Sequence, residues 1–256
     1  DLGGEAWTPF EPSSGYVSEA YAGTFDGANH TIKGLSVNLT SKSGVGFFGT
    51  VHGATIKNLQ IAGNIYSTNS SYVGGIVGRT QGNVTIDGCS FSGSVTATKA
   101  GMTNGAGGIA GRVNAGTLAV TNCANLSDVT GSGSAAGILG YAGNTKVTIE
   151  NCYNSGAISG QNYVSGICSI GTGKNGKTGK IGNCYNVGTI TGTSDGAYYA
   201  GISANFQGAI SNSYYAAPVE EKLMSNATAT ATAITSPEGL ADKLGNAFQE
   251  DTAGAN

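Results

Sequence analysis

The chain repeats itself with a period too short for a self-contained domain. Five segments share one Gly-Ile step: Gly74-Gly75-Ile76-Val77-Gly78, Gly107-Gly108-Ile109-Ala110-Gly111, Ala136-Gly137-Ile138-Leu139-Gly140, Ser165-Gly166-Ile167-Cys168-Ser169 and Ala200-Gly201-Ile202-Ser203-Ala204. The isoleucines stand at 76, 109, 138, 167 and 202, giving steps of 33, 29, 29 and 35 residues. Each step leads into a Val/Ile-rich stretch that ends in Asn-Cys or a variant: Gly88-Cys89, Asn122-Cys123, Asn151-Cys152, Asn183-Cys184 and Asn212-Ser213. A period in this range marks a solenoid, whose single unit cannot bury its own apolar face.

Composition agrees and narrows the class. Glycine supplies 44 of 256 residues, against about 7 % in ordinary chains. Four prolines and no Gly-X-Y period exclude collagen. Only 11 % of residues are charged and the net charge is −3, which gives no basic footprint for nucleic acid. No apolar run approaches the ~20 residues of a membrane helix. The chain opens at Asp1 without a leader segment, and we expect a piece of a longer protein that acts as a monomer.

Alignment on the strand after each Gly-Ile turn produces columns. One reads Leu35, Leu59, Cys89, Cys123, Cys152, Cys184, Ser213, and two residues on comes Val37, Ile61, Phe91, Asn125, Asn154, Asn186, Tyr215. Strand side chains alternate with period two, so both columns share a face. Exchange of Leu with Cys marks that face as inward, because free Cys behaves as a small buried hydrophobe. The four column cysteines are expected to be free thiols, since Leu and Ser fill the same place. Asn125, Asn154 and Asn186 should stack as an amide ladder. A third apolar column is Ile65, Val95, Val129, Ile158, Ile190.

The expected fold is all-β: a right-handed parallel β-helix of about six to seven coils over residues 1–218. An irregular N-terminal cap carries Trp7, Phe10, Tyr16, Tyr21 and Phe25. Residues 219–256 form a cap or linker to a further domain, with one extended strand in 226–235. A helix starts at Ser236-Pro237-Glu238 and carries Leu240, Leu244 and Phe248 on one stripe. Loops bulge at one edge, at 96–106 and 172–179.

The segment Gly74 to Cys89 resembles the GLUG motif, as do Asn151-Cys152-Tyr153 with Gly156-Ala157-Ile158-Ser159-Gly160 and Asn183-Cys184-Tyr185 with Gly188-Thr189-Ile190-Thr191-Gly192. Gly23 to Leu35 is similar to the stretch that often precedes such repeats. The resemblance covers about residues 20–216. It implies an extracellular module of a bacterial secreted or cell-surface protein, adhesin-like, and it brings no catalytic residues.

Catalysis needs its own test, because β-helices also carry polysaccharide lyases and glycoside hydrolases. A column reading Lys33, Lys57, Asp87, Thr121, Glu150, Gly182, Ser211 places Asp87 and Glu150 two coils apart. That separation is formally open to an inverting carboxylate pair. The plainer reading is an exposed column with Lys57 beside Asp87. His30 and His52 lack a third ligand for zinc, and no carboxylate cluster offers a calcium site. An ice-binding array is not indicated either, because Thr228, Thr230 and Thr232 lie along one strand.

The residue after the Cys column faces outward: Ser36, Gln60, Ser90, Ala124, Tyr153, Tyr185, Tyr214. Tyr153, Tyr185 and Tyr214 would form a flat amphipathic strip on consecutive coils, suited to sugar rings or a protein partner. Arg79, Arg112 and Tyr141 form another outward column, with Arg112 over Tyr141 as a cation–π contact. The functional expectation is a non-catalytic module that binds a glycan or host surface protein, or serves as a spacer stalk. The alternative is a carbohydrate-active enzyme of the same fold. No cofactor is expected.

Overall fold

A computed structural model describes residues 1–9, 20–40, 44–143, 145–171, 179–216, 219, 221–224 and 232–234. The expected helix after Ser236, Phe10, Tyr16 and most of the 172–179 excursion lie outside the described residues. Among the described residues there is no helix, and every strand ladder is parallel. The chain is a parallel β-solenoid. One column of the largest sheet runs Phe25, Ile56, Ile86, Val120, Ile149, Ile181, Ile210 in unbroken register, bounding about six turns.

The core is a narrow stack. Ile56, Ile86, Val120, Ile149 and Ile181 are fully buried, as are Ile65, Val95, Val129 and Ile158 along the third column. Cys89, Cys123, Cys152 and Cys184 are buried free thiols, and Cys168 is a fifth. Each column sulfur donates to the carbonyl two residues back, at 3.3 Å to Asp87, 3.1 Å to Thr121, 3.2 Å to Glu150 and 3.2 Å to Gly182. Ser213 makes the same contact to Ser211 O at 2.9 Å, which explains why Ser can end the column. Burial pushes the Cys152 and Cys168 thiols up, Cys168 to about 12, so both stay protonated at neutral pH.

The amide ladder is present. Asn125 Nδ2 donates to Asn154 Oδ1 at 2.6 Å, and Asn154 Nδ2 to Asn186 Oδ1 at 2.6 Å. Each amide also donates to the carbonyl two residues ahead: Ser127, Gly156 and Gly188. Phe91 lies below this ladder and Tyr215 above it, both buried. Across the core sits the glycine of each Gly-Ile step. A Cβ on Gly137 would stand 2.3 Å from Gly166 O and 2.5 Å from the Asn154 amide, and on Gly75 2.3 Å from the Phe91 ring. The repeat keeps glycine there because the core has no room for a methyl group.

The first coil departs from the expected alignment. Leu35 pairs with Gly63 and Val37 with Ile65, while Ile32 pairs with Ile61 and His30 with Leu59. Likewise Asp26, not Lys33, stands beside Lys57, and Thr31, not Ser36, beside Gln60. The strand Thr24–Leu39 carries extra residues at two register shifts. The first holds Ala28 and Asn29 at φ 48° and 61°, where Asp26 Oδ1 accepts from Ala28 N. The second contains Gly34 at φ 71°. The two bulges add three residues, and the true partners lie five residues before the expected ones at Leu59 and Ile61 and seven before at Lys57; regular pairing already starts at Thr24. Trp7 closes the N-terminal end by stacking on Phe47 at 4.8 Å, and its Nε1 donates to Phe47 O.

At the other end Thr232–Ile234 adds a capping strand, pairing Thr232 with Tyr214 and Ile234 with Ala216. Glu221 accepts from Gly201 N at 3.1 Å, and Lys222 bridges Tyr199 in antiparallel fashion.

Candidate functional site

Tyr153, Tyr185 and Tyr214 are register partners on three successive rungs. They face outward because the flanking residues, Cys152, Cys184 or Ser213 before and Asn154, Asn186 or Tyr215 after, point into the core. Tyr153 and Tyr185 stack with centroids 5.0 Å apart and an interplanar angle of 4°. All three are half-buried. Burial pushes the Tyr153 and Tyr185 phenols up, and the neighbouring Tyr153 adds to the shift of Tyr185, which reaches about 12.

The strip has two distinct borders. On one side lie Leu126 and Val187, both 44 % exposed, in the next outward column. Large apolar groups left in solvent beside stacked rings make this an amphipathic patch. On the other side runs a second asparagine ladder, not anticipated from sequence. Asn58, Asn122, Asn151, Asn183 and Asn212 all take φ between 45° and 55°, with Gly88 completing the column at φ 61°. Asn151 Nδ2 donates to Asn122 Oδ1 at 3.1 Å, Asn183 to Asn151 at 3.2 Å and Asn212 to Asn183 at 3.3 Å. A signal for it exists: a column holding only Asn and Gly is a left-handed corner, since other residues avoid that region.

Beyond this corner lies an open groove of about 640 Å³ beside Lys146, Thr148, Gly179, Lys180, Gln207, Gly208 and Ala209. Its cationic character is limited, because Lys180 Nζ lies 2.5 Å from Glu150 Oε1. The carboxylates weighed for catalysis are both engaged. Asp87 Oδ1 accepts from Thr121 Oγ1 at 2.6 Å and Asn122 Nδ2 at 2.7 Å. Lys57 stands beside Asp87 as its register partner, but its ammonium forms the ion pair with Asp26, at 3.2 Å. The hydrogen bond from Ala28 N, then those from Asn58 and Lys57, hold the Asp26 carboxyl below its usual value. His30 and His52 are not register partners, since they pair with Leu59 and Gln81. Among the described residues no cluster of three His, Cys, Asp or Glu side chains could hold a metal.

The second outward column also forms. Arg79 pairs with Arg112, and Arg112 with Tyr141, whose ring centroid lies 4.7 Å from the guanidinium carbon. Tyr72 flanks the other side at 4.7 Å. Sequence reasoning missed Tyr72 and the stacked pair Tyr163–Tyr198 at 5.4 Å. These follow loops of unequal length, which hides their common column.

No family model matches the chain. Halomucin from Haloquadratum walsbyi is 36 % identical over 107 residues, which is 41 % of this chain and 1 % of that protein. The chain therefore spans only a very small part of that relative. The structure is similar to that of a candidate immunoglobulin A1 protease from Bacteroides ovatus, with a TM-score of 0.60 and 21 % identity over 86 % of this chain and 71 % of that one. At that identity the likeness is one of fold.

Proposed function

We propose that the chain is a non-catalytic solenoid module of a secreted or cell-surface protein, and that it binds a glycan or a host surface protein through Tyr153, Tyr185 and Tyr214. The observation that carries this reading is the flat, parallel stack of Tyr153 on Tyr185 beside exposed Leu126 and Val187. Rings stacked in this way cover each other's faces and present a flat row of edges to a sugar or side chain. The asparagine corner adds a row of amides next to the stack. Such a border suits a hydroxyl-rich ligand, because amides both donate and accept. The halomucin match supports a secreted or cell-surface setting.

The enzyme reading is weaker because Asp87 and Glu150 are each already engaged by a neighbouring side chain. A glycan, mucin and host-protein array with the parent and a Tyr153/Tyr185/Tyr214→Ala variant tests the proposal. A hit weakened several-fold in the variant, with the fold intact by circular dichroism, is the expected result. Equal binding by both proteins would leave the spacer role in its place.

A further inference from the structure

The chain contains two arginines, Arg79 and Arg112, and the solenoid brings them together. They are register partners on adjacent strands of the four-stranded sheet formed by Phe48–His52, Val77–Gln81, Ala110–Val113 and Leu139–Tyr141. One rung, about 4.8 Å, separates their backbones. This sheet is distinct from the strands that carry the Tyr153 strip, so the site stands apart from the function proposed above.

Both guanidiniums are oriented by neutral groups. Arg112 lies between the Tyr72 and Tyr141 rings, and its Nη1 donates to Tyr72 Oη at 3.1 Å and Thr103 O at 3.2 Å. Its Nε is buried without an acceptor. Arg79 donates through Nε and Nη2 to Gln81 Oε1, at 2.9 Å from Nε, in the amide orientation that satisfies both groups. Lys99 is close by, with Nζ 3.0 Å from Oγ of Ser71, the residue before Tyr72. Neither arginine meets a carboxylate: the ion pairs among the described residues are Lys57–Asp26 and Lys180–Glu150. Arg79 Nη1 and Arg112 Nη2 thus keep donors that no described group accepts.

Two like charges carried on neighbouring rungs repel each other, and an anion bound between them relieves that repulsion. Guanidinium forks suit oxyanions because they place paired N–H donors in one plane. We propose that Arg79 and Arg112 form a subsite for the oxyanion groups, sulfate ester or carboxylate, of an acidic polysaccharide. A polymer fits better than a free ion, since the half-buried rings of Tyr72 and Tyr141 flank the Arg112 guanidinium and extend the site beyond a single charge. Tyr141 packs against the cluster that holds the stacked Tyr163 and Tyr198. Oxyanions would sit on the arginines while sugar rings lie against Tyr72 and Tyr141; Tyr163 itself is buried, with its hydroxyl donating to Met224 Sδ.

Calorimetry at low and near-physiological salt, with dextran sulfate, polygalacturonate and uncharged dextran, tests this. Binding to either polyanion but not to dextran is expected, with affinity falling as salt rises. The polymer that binds identifies the group. Arg79→Gln should weaken binding roughly 10-fold or more, the scale of lost hydrogen bonds to a charged group, and Lys146→Gln in the separate groove should not. Arg112→Gln also removes the ring stack, so Arg79→Gln decides, with its melting temperature as control. The proposal is overturned if dextran binds equally, if no polyanion binds, or if folded Arg79→Gln keeps the parent affinity. Inorganic sulfate that competes as well as the polymer, group for group, would overturn the polysaccharide assignment. Because the strip tyrosines are untouched, these outcomes are separable from failure of the Tyr153 site.

Discussion

The N-terminal and C-terminal coils fill the same inward position in different ways. Early coils place Ile32, Ile61 and Phe91 there; later ones place Asn125, Asn154 and Asn186. Strand lengths follow this change. Thr55–Ser67 and Ser90–Gly107 run on through the apolar position, whereas Tyr153–Asn154 and Tyr185–Asn186 stop at the asparagine. The cause is local. An Asn amide that bonds the backbone two residues ahead makes a tight turn and competes with the strand. Asn125 shows the transition, since its strand Ala124–Ala136 still continues. Outward positions change as well: Thr31, Gln60, Ser90 and Ala124 give way to Tyr153, Tyr185 and Tyr214. Aromatic rings are added on the outside at Tyr153 and Tyr185, while Phe91 in the earlier coils and Phe206 and Tyr215 in the later ones stay inside. The N-terminal coils fill this position with apolar side chains and the later coils fill it with buried amides, inside one apolar core that runs through both halves.

The largest expected effect tests whether the amides really replace the apolar core. Asn154→Ala leaves the Asn125 donor and the Asn186 acceptor buried and partly unpaired. At about 1–3 kcal/mol for each stranded group, the loss should be about 2–5 kcal/mol, seen as a lower urea midpoint at constant slope. Ile61→Ala should cost a similar ~2–5 kcal/mol through its cavity. An Asn154→Ala loss below that of a surface substitution would mean that the ladder is decorative and the comparison fails.

The thiol column sharpens the same contrast. Leu59→Ser should cost ~2–5 kcal/mol, as for other large-to-small core changes. Cys152→Ser should cost about 1 kcal/mol or less, because Ser213 already shows the hydroxyl reaching the carbonyl two residues back. Native protein should resist alkylation at all five cysteines, and denaturation should release five thiols per chain. Two disulfides by mass spectrometry would contradict the buried-thiol assignment.

Much of this architecture is legible in the sequence. Inward columns can be read because residues of unlike size that share a preference for burial, Leu and Cys, exchange at a fixed phase. The Asn125–Asn154–Asn186 ladder follows from the same phase. The first coil is not legible, since its bulges use Gly and Asn, the very residues that mark ordinary corners in the repeat. The outer ladder is hidden although Asn58, Gly88 and Asn122 stand in one column, because in sequence they merge with the strand ending just before each Leu or Cys. Its test is simple. Asn151→Gly should be nearly neutral, while Asn151→Ala should cost about 1–2 kcal/mol for the left-handed backbone alone. Equal costs for both would show that side-chain bonding, not conformation, selects the residue.

The smallest effect concerns the pH behaviour of the outward rings. Tyr185 has its phenol pushed up to about 12, by burial first and by the neighbouring Tyr153 second. Its raised folded value means that the neutral ring is favoured in the folded state. The corresponding stability is fully present below pH 10, the ordinary tyrosine value, and is lost as pH rises from 10 to about 12. Phenolate absorbance should show Tyr185 ionising near pH 12. Tyr153→Phe keeps the stack and the burial but removes one phenolate, so it should bring that step down only slightly. Tyr153→Ala removes the covering ring and should bring it down further. If Tyr185 ionises near pH 10 in the parent, the ordinary tyrosine value, or responds identically to both changes, the two rings do not cover each other. The C-terminal coils would then carry separate tyrosines rather than the continuous strip that sets them apart from the N-terminal ones.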